Sequence, residues 1–153
     1  MLIVTADLPV CARCNSSALV FCYMWRYDMT NREIYELYGC LIRNQHIRYS
    51  KTAYTAYKNL GMIRTQGDTI DKLRQSLLKE YGDQLDNGKV RFKNTDSYRA
   101  YQQKEKELMD TEETIELCKI PRGVFDGEVE KLITEEGVSM GDCDILSRYI
   151  VEG

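Results

Sequence analysis

The chain has 153 residues, 43% hydrophobic and 29% charged, with a formal net charge of −3. That makes one ordinary domain with a modest core and excludes a disordered chain. The longest apolar run, Ala18 to Trp25, is far too short to span a bilayer, so no membrane is expected. Residues 1–109 carry 17 Lys and Arg against 12 Asp and Glu, net +5, whereas residues 110–153 carry 4 against 12, net −8. Two differently solvated faces are the simplest account of this polarity.

Residues 1–28 differ from the rest: they hold Cys11, Cys14 and Cys22, the single Trp, and no helix signal. They are expected to form an N-terminal appendage, with Leu2 to Thr5 and Ala18 to Tyr23 as two short strands. No basic residue precedes the apolar start, which makes a poor secretory signal and favours a cytosolic address. Cys11-Ala12-Arg13-Cys14 is the one CxxC motif. Zinc needs four ligands, usually two such pairs or a pair with histidines. Cys22 and the single His46 are the weak candidates to complete a set, and no metal is assigned. A βαβ setting for thioredoxin-like chemistry is missing. The four cysteines from Cys22 on sit in apolar company, as reduced buried thiols do.

The helical part begins at Thr30. Thr30 and Glu33 form a capping box, followed by Ile34, Leu37, Tyr38 and Leu41 on one face. A polar connector from Asn44 to Ser50 ends in a new cap at Ser50 or Thr52. From Lys51 to Tyr81 the residues Tyr54, Tyr57, Leu60, Ile63, Ile70, Leu73, Leu77 and Leu78 suggest a buried stripe along one long helix. Gly61 and Gly67 weaken it by about 1 kcal/mol each relative to Ala, and Gly82 closes it. The short connector predicts two antiparallel neighbours.

Asp86-Asn87-Gly88 marks a turn before a strand at Val90 to Phe92. A third helix, capped by Thr95 or Asp96, is expected from Ser97 to about Thr111. Thr114 to Ile120 reads as a strand stopped by Pro121, with Val90 to Phe92 as its expected partner. Glu128 to Glu136 and a segment capped by Ser139, carrying Ile145, Leu146, Tyr149 and Ile150, form a helical tail. The fold class is therefore mainly α (α+β): an antiparallel long-helix hairpin plus a third helix, with a small two-stranded β-hairpin near 89–120 and a short helical tail. Residues 29–153 form this single domain.

No P-loop, GxSxG, HExxH or dinucleotide fingerprint occurs, and no catalytic or cofactor-binding residue is assigned. His46 reads as a surface-loop histidine. Two stretches are candidates for partner binding. Arg43, Arg48, Tyr49 and Lys51 interleave cations with a ring, as a nucleic-acid surface does, although Tyr54 and Tyr57 beside them are expected in the core. Glu112, Glu113 and Glu116 belong to an acidic run that reads as a solvated helix end.

The segments MTNREIYELYGCL, TAYTAYKNLGMI, LLKEYGDQLDNGKVRF, KELMDTEETIELCKIP and ILSRYIVE resemble a family of small uncharacterised proteins of tailed phages and prophages of Gram-positive bacteria. The resemblance runs from Met29 to the C-terminus by order and spacing of segments, and residues 1–28 depart from it. It implies a phage origin and action by binding, and with no catalytic residue to carry over the expectation is a non-enzymatic accessory protein without a cofactor. Such a protein would act by protein–protein binding in the host cytoplasm, in virion assembly or on a host component. Two alternatives stand beside it. One is an anti-defence inhibitor whose acidic tail blocks a nucleic-acid channel of a host nuclease such as a CRISPR effector. The other is a nucleotide or single-stranded nucleic-acid binder using Arg48, Tyr49 and Lys51. Helical hairpins offer broad lateral surfaces, so a homo-oligomer is expected.

Overall fold

A computed structural model describes residues 23–48 and 50–153. The elements in order are strand β1 (Tyr23–Thr30), helices α1 (Asn31–Arg43) and α2 (Lys51–Tyr81), strands β2 (Gly82–Gln84) and β3 (Val90–Phe92), helix α3 (Thr95–Met109), strand β4 (Glu112–Lys119), and helices α4 (Arg122–Thr134) and α5 (Met140–Ile150). The described residues are mainly helical, with two small antiparallel sheets, β1–β4 and β2–β3.

Helix starts follow the side-chain caps. Thr30 accepts from the Glu33 amide while the Glu33 carboxylate accepts from the Thr30 amide, completing the capping box. Ser50 and Ser139 accept from the amides of Ala53 and Asp142 and open α2 and α5. Helix α3 begins at Thr95, two residues earlier than expected, because the cap is Asn94, which accepts from the Ser97 amide. Helix α2 runs unbroken through Gly61 and Gly67. Contacts between α1 and α2 advance in opposite directions, since Tyr35 donates to Asp71 and Tyr38 to Asp68. Gly88, at φ 76°, makes the tight turn between β2 and β3.

The strand pairing differs from expectation. Val90–Phe92 pairs with Gly82–Gln84, not with the later strand, so the small hairpin lies at 82–92. The partner of β4 is β1, in a register that sets Tyr27 opposite Ile115 and Thr30 opposite Glu112. A domain boundary at Met29 therefore falls inside a strand: residues 23–28 belong to the folded unit. The strand expected at Leu2 to Thr5, and most of the one expected at Ala18 to Tyr23, lie outside the described residues. The strand expected at Thr114 to Ile120, with Glu116 in it, is present as β4. It starts earlier than expected, taking in Glu112 and Glu113 of the acidic run read as a helix end, because α3 stops at Asp110 with its amide on the Lys106 carbonyl.

Pairing parity determines which backbone groups of this sheet stay free. The Asn31 amide donates to the Thr111 carbonyl at 2.8 Å, extending the same register by one pair. In an antiparallel ladder hydrogen-bonded pairs alternate, so the odd-numbered residues of β1 and β4 bond each other. The backbone groups of the even-numbered residues point outward. On the β4 side this edge is covered at its C-terminal end. Asn59 of α2, fully buried, accepts from the Cys118 amide at 2.7 Å and donates to its carbonyl at 2.9 Å. One step on, Ile120 bonds the Ile150 carbonyl and the Glu152 amide, giving a parallel bridge to Val151.

The core lies between the odd-numbered face of this sheet and the helices. Met29, Ile115 and Leu117 meet Ile34, Leu37 and Leu41 of α1, Leu60 and Ile63 of α2, Phe125 and Leu132 of α4, and Leu146 and Ile150 of α5. Beyond Ile70 the long helix leaves this core. There it packs on α3, with Arg74 bonded to Glu105 at 2.7 Å, and ends beside the cluster of Phe92, Tyr98 and Tyr101.

Candidate functional site

The inward side of α2 is Thr52, Thr55, Ala56, Asn59, Leu60, Ile63, Gly67 and Ile70. Tyr54 and Tyr57 lie away from it and are 54% and 76% exposed; Leu73 is also exposed. This corrects the expectation that both tyrosines and Leu73 are core residues. Leu60, Ile63 and Ile70 are buried as expected, but at about 100° of helix per residue Tyr54 lies nearly opposite the centre of the buried side and Tyr57 more than a quarter-turn from it. The true stripe is continued towards the N-terminus by Thr52, Thr55 and Asn59. Those polar residues are buried because each is small or has a buried bonding partner, as Asn59 has in Cys118. The signal was present in the spacing of Thr52, Thr55, Asn59 and Ile63, but a hydrophobicity pattern passes over it.

The outward face is cationic and aromatic. The Lys58 ammonium lies 5.5 Å from the Tyr54 ring centre. Lys51, Gly61 and Arg64 are exposed along the same helix, and Arg48 is exposed just before it. Tyr49 lies outside the described residues. The N-terminus of α2 is already neutralised: the Glu128 carboxylate accepts from the Lys51 and Thr52 amides at 3.1 and 2.9 Å and from the Thr52 hydroxyl at 2.6 Å. A helix start that holds its own carboxylate has little left to offer a phosphate.

Arg43 does not join this face. It clamps α1 to α5 through Asp142, Nη2 to Oδ1 at 2.6 Å, and Asn44 donates to the other carboxylate oxygen at 2.8 Å. Hydrogen bonds from Arg43, and less strongly from Asn44, hold the Asp142 carboxyl below its usual range despite the opposing effect of burial. The same neighbourhood pushes the buried Cys40 thiol up to about 12, chiefly through desolvation and then the Asp142 charge.

The acidic candidates divide. Glu112 and Glu113 are exposed at the start of β4, whereas Glu116 bonds Arg26 across the sheet at 2.9 Å. The structure thus keeps the cationic and acidic candidates on different elements: Arg43 ends α1, Arg48 and Lys51 lie just before α2 and at its start, and the acidic residues lie on β4. His46 is exposed, with Nε2 2.6 Å from the Glu136 carbonyl oxygen and Nδ1 3.2 Å from that of Arg43. Carbonyls only accept, so the ring donates from at least one nitrogen and ties the α1–α2 loop to the end of α4.

Among the described residues, no group of His, Cys, Asp or Glu is arranged to hold a metal ion. Cys11, Cys14 and Cys22 lie outside them. Two surface depressions measure about 450 and 300 Å³. The larger lies where α2 meets β4 and β1, lined by Met62, Gln66, Arg26 and Glu116 among others. The Gln66 side-chain oxygen is shielded from water there and has no partner among the described residues. No described helix is long and apolar enough to cross a membrane. Comparison with protein-family models, curated proteins and solved structures finds no match for this chain.

Proposed function

We propose that this is a non-enzymatic binding protein whose outer α2 face docks an acidic surface of another protein. The observation that carries the reading is the exposure of Tyr54 and Tyr57 on a well-anchored helix. Tyrosine gives large, stiff contact area at low entropic cost, and Arg and aromatic residues dominate interface energetics. Lys51, Lys58 and Arg64 around the rings supply the charge that selects an acidic partner. The resemblance to small phage and prophage proteins supports an accessory role in the host cytoplasm, directed at virion assembly or at a host component. The test places a photo-crosslinking amino acid at position 57 in producing cells and identifies the adduct by mass spectrometry. A discrete protein adduct, lost when Lys58 and Arg64 are both changed to Glu, is the expected result. An adduct pattern indifferent to that change removes the reading.

A second reading is favoured by the same rings. Exposed tyrosines beside cations also suit single-stranded nucleic acid, each stacked base being worth about 1–3 kcal/mol. Anisotropy of a labelled oligonucleotide would then show affinity that falls steeply with salt, and Tyr57→Ala would reduce it. An anti-defence role for the acidic residues would rest on Glu112 and Glu113, since the Glu116 carboxylate is engaged by Arg26.

A further inference from the structure

The two edges of the β1–β4 sheet are treated differently. The β4 edge is covered at Cys118 by Asn59 and at Ile120 by the strand-like end of the chain at Val151, and among the described residues it is open only at its first half, beside α2. On β1, parity turns the backbone groups of Met24, Arg26 and Asp28 outward, and among the described residues none of them has a partner. Edge strands are usually blunted by Pro, Lys, bulges or a covering element. The eight residues of β1, YMWRYDMT, contain no Pro, Lys or Gly, and Met24 and Trp25 are exposed beside the open edge.

We propose that β1 pairs antiparallel with β1 of a second copy, about a two-fold axis at Tyr27, to give a continuous sheet in the order β4–β1–β1–β4. The occupant and the register follow from charge. Outward-facing residues must bond outward-facing residues, so even positions pair with even positions. Setting Arg26 opposite itself, or Asp28 opposite itself, juxtaposes like charges. Setting Arg26 opposite Asp28 of the second copy pairs opposite charges twice, once on each side of the axis. That register places Tyr27 against its own copy in a close, non-hydrogen-bonded pair and sets Trp25 against Met29. Arg26 then lies between Glu116 of its own sheet and Asp28 across the axis, and Asp28 keeps its bond from the Thr114 hydroxyl. Self-association through this strand is independent of the α2 face, so either proposal can fail alone.

The experiment is sedimentation equilibrium of the full chain and of the variants Asp28→Arg and Arg26→Asp/Asp28→Arg. The wild type is expected to dimerise. Asp28→Arg turns both cross-axis pairs into like-charge pairs and should weaken the dimer about tenfold, and adding Arg26→Asp should restore it. Arg26→Asp also faces Glu116, so a second measurement avoids charge altogether: Tyr27→Cys treated with a short bis-maleimide, followed by peptide mapping. A crosslink between the two copies of position 27 supports the register. A wild-type monomer at all concentrations, a dimer indifferent to Asp28→Arg, or no crosslink at position 27 within a dimer overturns the proposal.

Discussion

Replacing Asn59 tests whether one side chain stands in for a missing strand. Its amide satisfies both backbone groups of Cys118 inside the protein, where water is absent. Asn59→Ala would orphan a buried N–H and a buried C=O, at about 1–3 kcal/mol each. Allowing for partial relaxation, the loss should be about 3 kcal/mol, which for a chain of this size lowers the melting temperature by about 6–12 °C. Urea unfolding followed by circular dichroism measures it, with an unchanged m-value confirming that only the native state was affected. Asn59→Asp sharpens the test. As a carboxylate it accepts from the Cys118 amide but repels the carbonyl; as a neutral acid it does both jobs of the amide. Burial and that repulsion raise its folded-state pKa above the unfolded value of about 3.9. The folded state then holds the extra proton, so the stability of this variant relative to wild type is greatest below the unfolded pKa. It is lost as pH rises through the folded pKa. A loss under about 1 kcal/mol for Asn59→Ala, or an Asn59→Asp deficit that grows as pH falls, would refute the edge-capping account.

Other outcomes follow from the buried polar cluster and the helix contact. Arg43 holds the Asp142 carboxyl low, so that group contributes stability above its unfolded pKa and loses it as pH falls through the folded pKa. Asp142→Asn should be less stable than wild type at pH 7, with the gap closing in acid, as urea midpoints across pH would show. Cys40, buried and with its thiol pushed up to about 12, should resist maleimide labelling in the native state and label fully in denaturant, as read by peptide mass spectrometry. Gly67→Ala should destabilise despite the better helix propensity. A Cβ there would lie 2.7 Å from the Tyr38 Cδ1 atom, and overpacking of about 1–3 kcal/mol outweighs a propensity gain of about 1 kcal/mol. Thermal unfolding of Gly67→Ala with and without Tyr38→Ala would show the two changes to be non-additive.

Local signals were legible and long-range ones were not. Thr30 with Glu33, Ser50, Ser139 and Gly88 each announce an end or a turn through bonds to residues two to four positions away, and all of them appear in the fold. The pairing of β4 with β1 joins residues about ninety apart, and no local chemistry encodes that choice. Gly82 to Gln84 lacks the β-branched or aromatic residues that mark strands, so the true partner of Val90 to Phe92 carried no signal. Tyr54 and Tyr57 were misplaced because tyrosine counts as hydrophobic in any periodicity, while Thr52, Thr55 and Asn59 count as polar. The tertiary contacts reverse both labels. Arg43 was legible as a cation but not as the partner of Asp142, nearly a hundred residues away.

At about 1.5 Å per residue, the 31 residues of α2 extend about 46 Å, longer than the packed centre they emerge from. Its first half is gripped from several sides, while its last two turns, past the Arg74 contact with Tyr35, meet α3 and a three-residue ribbon among the described residues. Fraying should therefore start at the Tyr81 end and travel inward, so that amides near Leu78 exchange with solvent well before those near Leu60. The helix acts as a graded beam, rigid at its root and yielding at its tip.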